Sequence, residues 1–229
     1  MGSVWTRFPR AKPPRLSLEA IVAAAIGLAD AHGLDAVSIR RVAAELSARP
    51  MSLYSFMDRK DDLIEMIVDE VMSEMIVDEL PAGWREALHA IAAQTRAAGH
   101  RHPWLMTAIS QRPPMGPNAV RHSEQSMAAI SRLGLDPGRA RALLIAVDAF
   151  TIGFGSLELA ERAMRQRDGL TDSQWEASTG AHLARLSRTG QVPHLAQFSD
   201  DIAGDAFRAG LDWLLAGFAA EADAQPDTP

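Results

Sequence analysis

The sequence predicts an all-α protein of about ten helices, built as an N-terminal three-helix helix-turn-helix domain and a larger C-terminal helical body. Apolar residues return at three- and four-residue spacing over most of the 229 residues. No strand-like alternation of useful length occurs. Proline and glycine clusters at 81–83, 113–117, 134–138 and 190–193 divide the helical pattern into segments.

Residues 1–16 are basic and proline-rich and are read as a mobile arm rather than a groove contact. Ser17 is placed to cap a first helix with Ile21, Ala25 and Leu28 on its buried side, and Gly33 to end it. Ser38 caps a short second helix that buries Ile39, Val42, Ala43 and Leu46. Pro50 suits the first turn of a third, expected to run through Phe56. Asp58, with Asp61 at the third helical position, is expected to cap a fourth helix continuing to about Leu80. Asp136 and Pro137 open a long helix to about Arg167, where Gly153 and Gly155 call for a bend or a close backbone approach. Ser199 opens the last, with Phe207, Leu211, Leu214 and Phe218 in one stripe. The expected domains are a helix-turn-helix at 17–62, a body at 63–222 and a tail at 223–229.

Charge is divided along the chain. Residues 1–60 carry nine Lys or Arg against five Asp or Glu, whereas the rest carries fourteen against twenty-four. A basic head on an acidic body suits a polyanion reader more than an enzyme. The absence of cysteine excludes a disulfide framework, a thiolate nucleophile and a Cys-ligated metal. No nucleophile elbow, glycine-rich phosphate loop or HExxH is present, so no enzyme, cofactor or metal site is expected. His100 and His102 flank Arg101 as a surface pair without a third ligand. The longest apolar stretch, 142–157, contains Asp148 and falls short of the roughly 20 residues of a membrane span. With no signal sequence evident, a cytoplasmic protein without a membrane partner is expected.

In a helix-turn-helix the second helix enters the major groove. By chemistry, Arg40 fits a guanine edge, Met51 offers apolar contact and Ser52 a hydroxyl. Ser38, Tyr54 and Lys60 suit phosphates. Tyr54 and Met51 also have a plain reading as packing residues.

The run from Leu18 to Ile67 resembles the DNA-binding domain of the tetracycline repressor family, through HGLDAVSIRRVAAEL, then SLY at Ser52–Tyr54 and KDDL at Lys60–Leu63. Ser47 stands where the family has its turn glycine, and Ala48 where it has a branched apolar residue. The resemblance implies that Arg40, Met51, Ser52, Tyr54 and Lys60 face DNA. A weaker likeness over Arg112–Glu161, strongest at GLDP and AVDAFTIG, implies a body that binds a small-molecule effector and dimerises. Ala108 and Leu157 occupy positions of the family's magnesium–tetracycline ligands, so that ligand is not expected.

The expected dimer surface carries Phe150, Phe207, Leu211, Leu214 and Phe218, unless those helices are buried within one chain. The expected effector pocket draws on Arg96, Trp104, His122, Gln125, Asp148, Phe154 and Glu158, a few polar groups among apolar walls. The leading expectation is a homodimeric repressor that leaves double-stranded operator DNA when a small molecule binds. An all-α enzyme and a ligand-independent DNA-binding protein are the alternatives.

Overall fold

The computed structural model describes residues 16–189 and 205–224, with ten α-helices and no strand among them. They are α1 (Leu18–His32), α2 (Ile39–Glu45), α3 (Pro50–Leu53), α4 (Lys60–Met72) and α5 (Trp84–Arg101), then α6 (Leu105–Gln111), α7 (Pro117–Ile130), α8 (Pro137–Asp168), α9 (Asp172–Arg188) and α10 (Ala206–Ala224). The chain forms two compact units. One gathers the described residues up to Glu74 and Arg101–Val120; the other gathers Met75–His100 and those from Arg121 onward.

In the first unit α1 is capped as expected, the Ser17 hydroxyl accepting the Ala20 N–H at 3.2 Å. Gly33 ends it at φ 82°, a conformation L-residues rarely adopt. Ile21, Val42, Leu53, Leu63 and Ile67 are fully buried together with Leu105 and Met106 of α6. Each such side chain stabilises the fold by about 1.5–3 kcal/mol relative to exposure.

Several boundaries differ from expectation. The third helix closes at Leu53, because the Phe56 N–H turns back to the Leu53 carbonyl at 2.9 Å. The fourth helix starts at Lys60, and its capping carboxylate is Asp62 rather than Asp58 or Asp61. Asp62 accepts the N–H groups of both Asp58 and Arg59 at 2.9 Å. That helix ends at Met72 in a single 3₁₀ turn, Ser73–Met75. Beyond it the Gln125 amide takes the Met75 carbonyl and the Val77 N–H, each at 3.0 Å, in place of a helical ladder.

The second unit is built on Leu88 and Ala92 of α5, Ile130 of α7, Leu143 and Val147 of α8, and Phe207, Leu211 and Leu215 of α10. Phe150, Phe154 and Phe207 form a ring cluster with centroids 5.4–5.7 Å apart. A Cβ at Gly210 would meet the Phe150 ring at 2.7 Å, so this glycine lets α8 and α10 come together. A Cβ at Gly153 would meet nothing within 4 Å outside its own helix backbone, so no close approach among the described residues accounts for it. The Asp136 carboxylate caps α8 as expected, through the N–H groups of Gly138 and Arg139. The positions of Ser199 and the 190–193 turn lie outside the described residues.

By length and composition α8 is apolar enough to cross a membrane, which the 142–157 stretch alone did not suggest. Much of that apolar surface faces outward, with Ile145 55% and Leu157 72% exposed.

Candidate nucleic-acid interface and ligand site

The turn between α2 and α3 fixes how α3 is presented. Ser47 has φ 50°, the one non-glycine with positive φ among the described residues. The Ala48 N–H reaches the Ala43 carbonyl at 2.8 Å and the Ser47 N–H the Ala44 carbonyl at 3.0 Å. These two bonds make a Schellman C-cap with serine at the left-handed position. Pro50 then opens α3 with its φ already set for a helix.

Arg40, Met51, Ser52, Tyr54 and Lys60 are all exposed. Met51 is 76% and Tyr54 46% exposed, whereas Leu53 between them is fully buried, so α3 keeps one residue for the core and turns its neighbours to water. The Ser38 oxygen accepts the Arg41 N–H at 3.3 Å, which leaves its hydroxyl hydrogen able to donate to a phosphate. Lys60 occupies the first position of α4, the electropositive end of that helix.

In the second unit Arg96 is the centre of a charged group. Its guanidinium forms a two-point ion pair with Glu158 and reaches Asp205 at 3.4 Å. It also lies 4.8 Å over the Phe207 ring and 5.8 Å over Phe154. The His100 ring nitrogen is 3.1 Å from Glu158. Burial works to raise the Glu158 pKa, but Arg96 and His100 outweigh it and hold the carboxyl below its ordinary value. Beside this group His89, Ala93, Ala97, Asp205 and Arg208 frame an open hollow of about 390 Å³.

Of the seven residues expected to line an effector pocket, the structure brings together Arg96, Phe154 and Glu158. His122 is buried with Thr95 at 3.3 Å, and burial lowers its pKa. The Gln125 amide is committed to the backbone at Met75 and Val77. Asp148 is exposed at its surface, although partial burial of its carboxyl pushes the pKa up to about 6. Trp104 belongs to the first unit, its indole N–H donating to Asp30 at 2.7 Å. Of the residues expected to form a dimer surface, Phe207 and Leu211 are buried in the chain's own core, and Phe150, Leu214 and Phe218 pack against it.

His102 departs from the expected surface pair. It is buried, with its two ring nitrogens 2.8 Å from Asp30 and 3.2 Å from Glu74, while Arg101 donates to Glu74 at 2.7 Å. Nothing periodic in the sequence joins positions 30, 74 and 102, and only the HxH spacing marked one of them.

A family model described as Tetracyclin repressor-like, C-terminal domain matches residues 78–222. The chain belongs to the tetracycline repressor family. A relative from Streptomyces coeruleorubidus, the HTH-type transcriptional repressor DrrR1, is 36% identical over 213 residues, covering 91% of this chain and 79% of the relative. An HTH-type transcriptional regulator of Saccharopolyspora erythraea is 34% identical over 229 residues, covering 96% and 93%. Among solved structures, the tetracycline repressor family protein ActR of Streptomyces coelicolor in complex with actinorhodin superposes with a TM-score of 0.74 at 28% identity, covering 91% of this chain and 99% of its own. The chain is thus a transcriptional regulator of the tetracycline repressor family.

Proposed function

We propose that the protein is a cytoplasmic homodimeric repressor that binds double-stranded operator DNA through its helix-turn-helix and leaves it when a small molecule occupies the body. The observation that carries the reading is α3 itself, set by the Ser47 turn so that Leu53 is buried while Met51, Ser52 and Tyr54 face water. Arg40 reads a base edge, and Ser38, Tyr54 and Lys60 hold phosphates. The reader spans residues 17–62, and the effector and dimer functions fall within 63–222.

A structure of ActR with actinorhodin supports a small-molecule effector here. The hollow beside Arg96 is its candidate seat, walled by Phe207 and bearing two histidines and two arginines, which suits an aromatic ligand with an acidic group. For the dimer, the support is the outward side of α8 and α10, where Ile145, Leu157 and Trp213 are exposed and, among the described residues, a Cβ at Gly153 or Gly217 would meet nothing within 4 Å.

Electrophoretic retardation on DNA from upstream of the gene tests the reading. Retardation is expected to weaken steeply with salt as phosphate contacts release counterions. Lys60→Ala should weaken specific and random DNA alike, whereas Arg40→Ala should cost about 1–3 kcal/mol on the operator alone. A protein that retards no DNA from its own locus at low salt would overturn it.

A further inference from the structure

A cavity of the first unit lies apart from the hollow proposed above for the effector, and its wall includes Ala108. About 630 Å³ in volume, it opens between the first three turns of α4 and the 111–117 segment that joins α6 to α7. Sites for drug-sized molecules fall between about 300 and 1,000 Å³.

The cavity is held open by its own supports. At one end of the segment Arg112 pairs with Glu65 of α4 at 2.5 Å. At the other, Asp69 of α4 accepts the N–H groups of Asn118 and Ala119 at 3.0 Å, capping α7. Gly116 passes so close to the Asp69 carboxylate that any side chain there would collide with it. Between these anchors Pro113 and Pro114 stiffen the chain, and Met115 is carried out into water at 83% exposure.

The walls are mixed in a way that selects an occupant. Leu34, Ile64, Met66 and Met115 supply apolar surface, two of them thioethers that adapt to irregular shapes. Asp61, Asp62, Glu65 and Asp69 supply four carboxylates, of which Glu65 pairs with Arg112 and Asp62 with Arg59. Asp62 and Asp69 are engaged in capping and Glu65 in its ion pair, while Asp61 is exposed and makes none of these bonds. The burial of Asp62 is slight, and its hydrogen bond from the Arg59 backbone holds its pKa below the ordinary value, so the charge persists near neutrality. An apolar anion is repelled here, and a small metal ion leaves the apolar walls wet.

We propose that this cavity is a second ligand site, in the DNA-reading unit, for a cationic amphiphile whose apolar body meets Met66 and Met115 and whose charge faces Asp61. The site is independent of the hollow beside Arg96 and of the DNA contacts, so its failure would leave the proposed repressor function standing.

The probe is tetraphenylphosphonium, with neutral triphenylphosphine oxide as its control, titrated into the full chain by calorimetry and by NMR of ¹³C-methyl methionine. One saturable site per chain is expected, with Met66 and Met115 methyl resonances shifting and those of Met106 and Met127 unmoved. The oxide should bind about tenfold more weakly, and Asp61→Lys should weaken the cation by a similar factor, as expected for a partly screened charge contact. Asp61 is exposed, and circular dichroism verifies that the variant folds. Equal binding of cation and oxide, an Asp61→Lys variant that binds as the wild type does, shifts confined to other methionines, or no saturable binding would each overturn the proposal.

Discussion

Oδ1 of Asp30 on α1 lies 2.8 Å from Nδ1 of His102, in the segment that follows α5, and the same oxygen accepts the Trp104 indole N–H at 2.7 Å. The far ring nitrogen of His102 meets Glu74 at 3.2 Å, directly after α4. One buried imidazole thus joins three stretches of the first unit.

Replacing His102 by alanine is expected to leave two carboxylates short of a partner and to cost about 1–3 kcal/mol. For a chain of this size that lowers the midpoint of thermal unfolding by roughly 2–10 °C. His102→Asn, which keeps one donor, should recover some of the loss. Equal melting of all three proteins in a calorimeter would mean that the cluster carries no net stability.

Ser47 offers a test of the turn. A left-handed conformation costs a residue with a Cβ about 1–2 kcal/mol relative to glycine, some of which glycine returns through its freer unfolded chain. Ser47→Gly should therefore raise stability by about 0.5–1 kcal/mol in denaturant titration, with operator affinity unchanged. A loss of stability would show that the serine hydroxyl contributes more than its backbone costs.

How far the sequence could be read follows from the same residues. Ser17, Ser38, Pro50 and Asp136 were legible because a cap or a first-turn proline acts within three residues of itself. The family likeness likewise rests on contiguous strings. Asp62 was misplaced by one position, because Asp58, Asp61 and Asp62 offer the same chemistry and only the path of the chain chooses between them. The union of Arg96 with Glu158 spans 62 residues and that of His102 with Asp30 spans 72, and no local pattern encodes either. Trp104 and Gln125 looked like pocket residues because buried polar groups resemble ligand contacts until their partners are known.

The pH dependence has opposed contributions. Burial alone would raise Glu74 and Glu158, but Arg101 with His102, and Arg96 with His100, outweigh it and lower both carboxyls in the folded state. Their contribution is complete above the unfolded value of 4.5 and is lost as the pH falls through the lowered folded values. The urea midpoint should therefore drop below about pH 4.5, and less steeply in Glu158→Gln. Asp148 runs the other way. Raised by burial to about 6 from 3.8, it takes up protons on folding, so stability falls as the pH climbs between those values. Asp148→Asn should gain stability at pH 7 and nothing at pH 3.5; because the side chain is open to water on one side, the gain is small. No gain at pH 7 would show that the carboxylate is solvated in the folded protein.

The dimer surface can be distinguished from the core of the single chain by choosing residues on opposite sides of α8 and α10. Phe207 and Leu211 are buried within the chain, and a charge at either would unfold it rather than dissociate a dimer. Trp213 is 77% exposed on α10, and Ile145 and Leu157 are exposed on α8, where the described residues offer little cover. Isolated apolar residues at a surface are ordinary, but these accompany bare glycines at 153 and 217 and an α8 apolar enough to pass for a membrane span. A second copy laid against this side would cover them all with helices in close approach. Light scattering of the wild type should therefore give twice the 24.8 kDa chain mass. Leu157→Glu and Trp213→Glu should each shift the protein toward the single-chain mass with α-helical content retained, and should weaken operator binding by removing the second reader. A wild type that scatters as one chain, or variants that stay dimeric, would place the second copy elsewhere or remove it.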